Sequence, residues 1–131
     1  GAVYIVSEIR MRPGHPSLLA KLPDGKLVAG LPGNPLAALV TFMTIVAPVL
    51  RGLSGHSEYR MTKVPLAKEF SCDRTRVVPI VLSSGTAEMT EFRGSAMLRG
   101  LSLADGLGVI SPGDNPAGTL IRILPLPWRV N

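Results

Sequence analysis

The 131 residues predict an α/β segment followed by a small all-β domain, and three observations carry that expectation. The first 55 residues hold strand-like stretches and one long apolar run, "LAALVTFMTIVAPVL" at 36–50. A polar stretch, "SGHSEYRMTK" at 54–63, then separates this part from a series of short β-rich tracts. The 14 glycines and 12 prolines punctuate the chain into many short elements joined by tight turns.

Taken in order, "VYIVSEI" (3–9) is β-branched and apolar and reads as a strand. Pro13, Gly14 and Pro16 break the pattern. "SLLAKL" (17–22) and "KLVAGL" (26–31) flank "PDG" and read as a β-hairpin. The tract "LVAGL" is apolar on both faces, as in a strand covered from both sides. Asn34 suits a helix N-cap, and Pro35 suits the first helical position, where a missing N–H is harmless. The helix is expected over Pro35–Leu53, with Gly55 just past its end and a kink at Pro48. Its apolar run has the composition of a buried core helix. Fifteen residues fall short of the ~20 a bilayer requires, and Thr41, Thr44 and Pro48 weigh further against a membrane span.

One helix cannot cover both faces of an apolar sheet. The first part is therefore expected to complete a larger α/β domain, or to bury the surplus face in a dimer. Beyond the polar stretch, strands are expected at 63–69, 75–83, 87–92, 106–111 and 118–125, with a helical turn at 95–105. Five short strands in so few residues suggest a small β-barrel or sandwich.

The net charge of +5 favours an anionic partner. The basic residues are scattered and aromatic residues make up 5%, which weighs against a nucleic-acid surface built on stacking. A single cysteine, Cys72, excludes an intramolecular disulfide and fits a reducing, cytoplasmic setting. No signal-peptide pattern opens the chain.

No catalytic constellation is evident. The two histidines, His15 and His56, have no cysteine or carboxylate at metal-ligand spacing, and no nucleophile elbow, P-loop or dinucleotide fingerprint occurs. Asp24, Asp105 and Asp114 sit in turn contexts. Binding chemistry is better supported. The helix start at Asn34–Pro35 carries free N–H groups and the positive end of the helix dipole, and Pro32 and Pro35 stiffen the approach. Arg10 and Arg12 follow the first expected strand, where α/β sheets tend to take ligands. Arg74 and Arg76 are expected on one face of a strand. Ser95 either caps the following helical turn or holds an anion there.

Three blocks, "MRPGHP", "GLPGNPLAALVTF" and "GSAMLRGLSLADGLGVI", together resemble the C-terminal part of the MoeA/gephyrin family of molybdopterin molybdenumtransferases. The resemblance implies that residues 1–56 are the C-terminal part of a three-layer α/β molybdopterin-binding domain. It implies that 57–131 are a C-terminal β-barrel domain. It further implies an elongated homodimer that takes adenylylated molybdopterin and inserts molybdate, with magnesium as the metal. By the same resemblance Pro32, Gly33, Asn34 and Pro35 match the pterin-pocket loop. Arg12, Arg74 and Ser95 match further molybdopterin-binding positions. The family's glycine-rich loop and acidic metal ligands lie outside this sequence, so the chain alone is expected to be inactive. Two departures stand out: His15 replaces a frequent lysine, and Glu8 falls where some relatives have another. A non-catalytic interaction or ligand-binding module of the same family is the second reading.

Overall fold

The computed structural model describes residues 1–90 and 97–129. The chain divides into two compact units, Gly1–Glu58 and Tyr59–Asn131.

In the first unit, β1 (Val3–Val6), β3 (Leu18–Lys21) and β4 (Leu27–Gly30) form an antiparallel sheet in the order β1–β3–β4, and β2 (Met11–Arg12) is a two-residue strand. The expected hairpin is present and pairs Leu18 with Gly30 and Lys21 with Leu27. Its turn is closed by Leu22 and Lys26 and by the Asp24 carboxylate, which accepts from the Lys26 N–H at 3.2 Å. The first strand stops at Val6 rather than at 9. Residues 9–15 instead close a loop: the Ile9 N–H donates to the His15 carbonyl, and His15 Nδ1 donates to the Ile9 carbonyl at 3.1 Å. The Arg12–Pro13 peptide bond is cis.

The helix runs over the expected span, as α1 (Pro35–Thr41), a π-helical stretch (Phe42–Val46) and α2 (Ala47–Leu53). In place of a simple proline kink, the helix widens just before Pro48, and the Ala47 N–H reaches back five residues to the Phe42 carbonyl. The wider turn accommodates a ring that would crowd the preceding turn of an α-helix. The helix closes on a Schellman motif, with His56 N–H bonding to Arg51 O, Gly55 N–H to Gly52 O, and Gly55 at φ +71°.

Burial is one-sided, contrary to the expectation of a helix covered all round. Leu36, Ala37, Val40, Met43 and Ala47 are buried, whereas Phe42, Leu50 and Leu53 are exposed. The sheet also leaves Val3, Tyr4, Ile5 and Val28 open, so β4 is not covered on both faces. One helix offers one packing stripe, and that stripe is used. By length and composition alone, Pro35–Leu53 is long and apolar enough to cross a membrane.

In the second unit, β5 (Thr62–Pro65), β7 (Thr75–Ser83), β8 (Thr86–Met89), β9 (Gly106–Ile110) and β11 (Leu120–Pro125) pair antiparallel in the order β8–β7–β9–β11–β5. A separate ribbon joins β6 (Phe70–Cys72) to β10 (Gly113–Asn115). The turn joining β7 to β8 places Ser84 at φ 50° and Gly85 at φ 78°, as a two-residue type I′ hairpin requires.

The expected barrel is an incompletely closed one. The sheet curls until β5 approaches β8, but a single bridge, Leu66 to Ala87, and one N–H···O bond from Ala67 to Ala87 stand where a ladder would close it. Leu66, Ile80, Ala87, Ile110, Ile121 and Ile123 fill the interior. Gly108 on β9 makes room for them: a Cβ there would lie 2.9 Å from Ile80 Cγ2 and 3.0 Å from Ile121 Cδ1. The short α3 (Met97–Leu103) is the described part of the expected helical turn. Asp105 ties its end to β7, its N–H donating to Ile80 O and its carboxylate accepting from Leu82 N–H, both at 2.8 Å.

Candidate functional site

The corner at the helix N-terminus forms as the sequence suggests. Asn34 has extended backbone, φ −73° and ψ 128°, and its Oδ1 accepts from the Ala37 N–H at 3.0 Å. Its carbonyl accepts the first intrahelical bond, from Ala38 at 2.8 Å. The cap thus uses the Asn34 side chain on one of the three N–H groups left over at this helix start, Pro35 having none. Gly33, Asn34 and Pro35 are exposed and Pro32 is half-buried, so the corner faces outward. No acidic residue lies in the first helical turn, so the dipole's positive end is not neutralised locally.

Arg12 is exposed on β2, which sets it outside the strand end where the sequence placed it. The loop that follows is pinned to the helix from inside. Ser17 donates to the Gly14 carbonyl, and the Ser17 and Thr41 hydroxyls meet at 2.6 Å, both sealed from water. Gly14 is required there, at φ +117° and with a Cβ position only 2.8 Å from Met11 Cε. Thr41 is six residues along the helix from Pro35, or about 9 Å along its axis at 1.5 Å per residue. The pin therefore fixes the Arg12 loop well along the helix from the Pro32–Pro35 corner. No sequence motif announces this hydroxyl pair, because its members are 24 residues apart and each lies in an apolar context.

In the second unit, Arg74 lies in a bend before β7 and not on a strand face with Arg76. It makes a loose ion pair with neighbouring Asp73 at 3.5 Å. Ser95 lies outside the described residues. Among the described residues no group of three or more His, Cys, Asp or Glu is placed to hold a metal ion. They therefore do not fit the magnesium that the resemblance implies for the whole protein.

Two hollows lie elsewhere. One of about 460 Å³ in the first unit lies along the C-terminal half of the helix, beside Val46, Val49, Leu50 and Leu53. Another of about 340 Å³ in the second unit lies between Leu66–Lys68 and Ala87–Met89. Neither is lined by a sequence-predicted site residue among the described residues.

Residues 63–126 match the family model described as MoeA C-terminal region (domain IV). This part of the chain is a MoeA C-terminal region. The molybdopterin molybdenumtransferase of Nostoc is 46% identical over 57 residues, which span 42% of this chain and 13% of that protein. The enzyme of the same name from Haemophilus influenzae is 40% identical over 53 residues, 40% of this chain and 13% of that protein. The likeness extends beyond the MoeA C-terminal region in three dimensions. A solved molybdopterin biosynthesis MoeA protein from Pyrococcus horikosii superposes with a TM-score of 0.75 and 26% identity, over 93% of this chain and 32% of that one. A molybdenum cofactor biosynthesis protein from Pyrococcus furiosus, 19% identical, shares the fold with a TM-score of 0.71 over 92% of this chain and 45% of its own. The chain thus spans about a third of the length of the Pyrococcus horikosii protein, and its matches to the two curated enzymes span 13% of each.

Proposed function

We propose that the chain is part of a molybdopterin molybdenumtransferase, the protein of molybdenum cofactor synthesis that inserts molybdate into adenylylated molybdopterin. The observation that carries this reading is the match of residues 63–126 to the MoeA C-terminal region. The 46% identity to an enzyme of that name supports it. For the first unit, support comes from the solved MoeA protein, whose superposition covers 93% of this chain.

In this reading residues 1–56 complete a three-layer α/β molybdopterin-binding domain, and 57–131 form the barrel-like C-terminal domain. Pro32, Gly33, Asn34 and Pro35 hold the pterin's anionic end at the helix start. The N–H groups there donate and the dipole favours negative charge. The two prolines hold the corner in shape before the ligand arrives, which lowers the entropy lost on binding. Arg12, Arg74 and Ser95 are further molybdopterin-binding positions by the family resemblance. Magnesium acts in the whole protein, which is a cytoplasmic homodimer. The exposed apolar face of the first unit packs against protein and not lipid. The chain alone does not catalyse the transfer.

The test uses a longer protein carrying the upstream α/β segment. Molybdopterin binding is measured for the parent and for Pro32→Ala. A several-fold loss of affinity is expected, and unchanged affinity removes the loop from the site. Molybdate-dependent formation of the cofactor by the parent tests the activity itself.

A further inference from the structure

We propose that Arg76 is a phosphate-binding arginine that acts beside Arg74. This rests on the reading above and adds to it a residue that the family resemblance does not point to. Arg76 is the second residue of β7 and is only partly exposed. Its Nε–H is shielded from water and meets no acceptor among the described residues. A buried donor without a partner carries a desolvation cost, larger when the group is charged. The shielded Nε belongs to the edge of the guanidinium that, with one Nη, grips two oxygens at once. A rotation of the side chain's end that presents this edge to an acceptor relieves the cost.

Arg74 is the natural second fork. Its ion-pair partner Asp73 is its neighbour in sequence, 3.5 Å away, with a side chain 80% exposed. Pairs of that kind contribute little and exchange readily. Two residues of chain separate the Cα atoms by at most about 7 Å, and the bend at Arg74 frees its side chain from the strand's alternation, so two side chains of this length can converge on one anion. Nine basic side chains against six acidic ones leave the second unit with a shortage of carboxylates to satisfy them. Two forks call for an anion presenting several oxygens, which describes a phosphate monoester or, more fully, a diphosphate.

The experiment titrates the 131-residue chain at low ionic strength with inorganic phosphate and with pyrophosphate, followed by calorimetry. The chain is expected to bind pyrophosphate, and Arg76→Gln is expected to weaken that binding about ten-fold, the loss of one charge-assisted contact. Arg76→Lys, which keeps the charge and loses the fork, is expected to fall between them. Pyrophosphate bound more tightly than phosphate assigns the site to a diphosphate. Equal binding assigns it to a monoester. If Arg76→Gln does not fold, Arg76→Lys decides, and parental affinity in that variant overturns the proposal. Loss in Arg74→Gln with no change in either Arg76 variant also overturns it, while leaving the transferase reading standing. A chain that binds neither ion overturns it as well.

Discussion

The hydroxyls of Ser17 and Thr41 face each other at 2.6 Å with no exposure to solvent, and they join a loop to a helix across 24 residues of sequence. Proton accounting orders the pair. Ser17 has one hydroxyl hydrogen and gives it to the Gly14 carbonyl, so Thr41 must donate to Ser17. Thr41→Val therefore removes one bond and keeps the shape, at about 1 kcal/mol. Ser17→Ala strands both the Gly14 carbonyl and the Thr41 hydroxyl, at about 2 kcal/mol. Urea unfolding of the two variants and their double mutant checks the order. Equal and additive losses would contradict the linked pair.

Asn34 separates capping from ligand binding. Asn34→Ala is expected to lower stability by about 1 kcal/mol through the lost cap. Asn34→Asp keeps the cap and suits the helix dipole, so stability holds or rises slightly. An anionic ligand at that corner meets a like charge, so the same variant should bind it more weakly. Thermal unfolding beside ligand titration reads the two effects apart. A variant that keeps both stability and affinity would place the anion elsewhere.

Gly108 faces Ile80 and Ile121 where a methyl group has no room. Gly108→Ala is expected to destabilise the second unit by about 1–3 kcal/mol through overpacking. Combining it with Ile121→Val, which removes the Cδ1 that lies 3.0 Å from the added methyl, should recover part of the loss. A double variant no better than the single one would mean that Ile80 Cγ2 or the backbone, not Ile121, sets the limit.

The hairpin turn carries a pH dependence of known sign. The Lys26 ammonium, 2.7 Å away, holds the Asp24 carboxyl below its ordinary value of 3.8, and the Lys26 backbone N–H adds to the effect. A carboxyl with a depressed folded pKa stabilises the fold above its unfolded pKa. That contribution is lost as pH falls through the depressed value. Asp24→Asn should remove that small contribution at neutral pH and flatten the part of the stability profile below pH 3.8 where the parent loses it. A profile identical to the parent's would show that the pair is inert in solution.

Much of the architecture is legible in the sequence because local chemistry determines it. Asn34-Pro35 starts the helix, Gly55 ends it, and "PDG" and "SSG" turn the two hairpins. Each signal acts within about four residues. What sequence reading misses is non-local. The early end of β1 reflects a loop closed by the His15 ring, a use of that side chain that spacing does not suggest. One-sided burial of the helix depends on what else packs in space, which an all-round apolar run does not disclose. Incomplete closure at Leu66–Ala87 depends on sheet curvature, which is invisible in strand counts. Of the candidate site, the loop at 32–35 was legible as a capped helix start. The bend that sets Arg74 apart from Arg76 was not, because strand boundaries are soft and the two residues look alike in alternation.

The widened stretch at Phe42–Val46 has a consequence for anyone aligning this helix. Each residue of an α-helix advances the side chain by about 100°, and a π turn holds one residue more than an α turn. Side chains beyond Val46 are therefore out of phase, by nearly a third of a revolution, with a continuation of the pattern set at Leu36 and Val40. Deleting one residue between Phe42 and Val46 and restoring α geometry would leave the orientation of Leu50 and Leu53 unchanged. Keeping the length and restoring α geometry would swing both leucines to a different side. In this helix an insertion is recorded as a change of pitch, and a homologue one residue shorter here need not have lost any of its face.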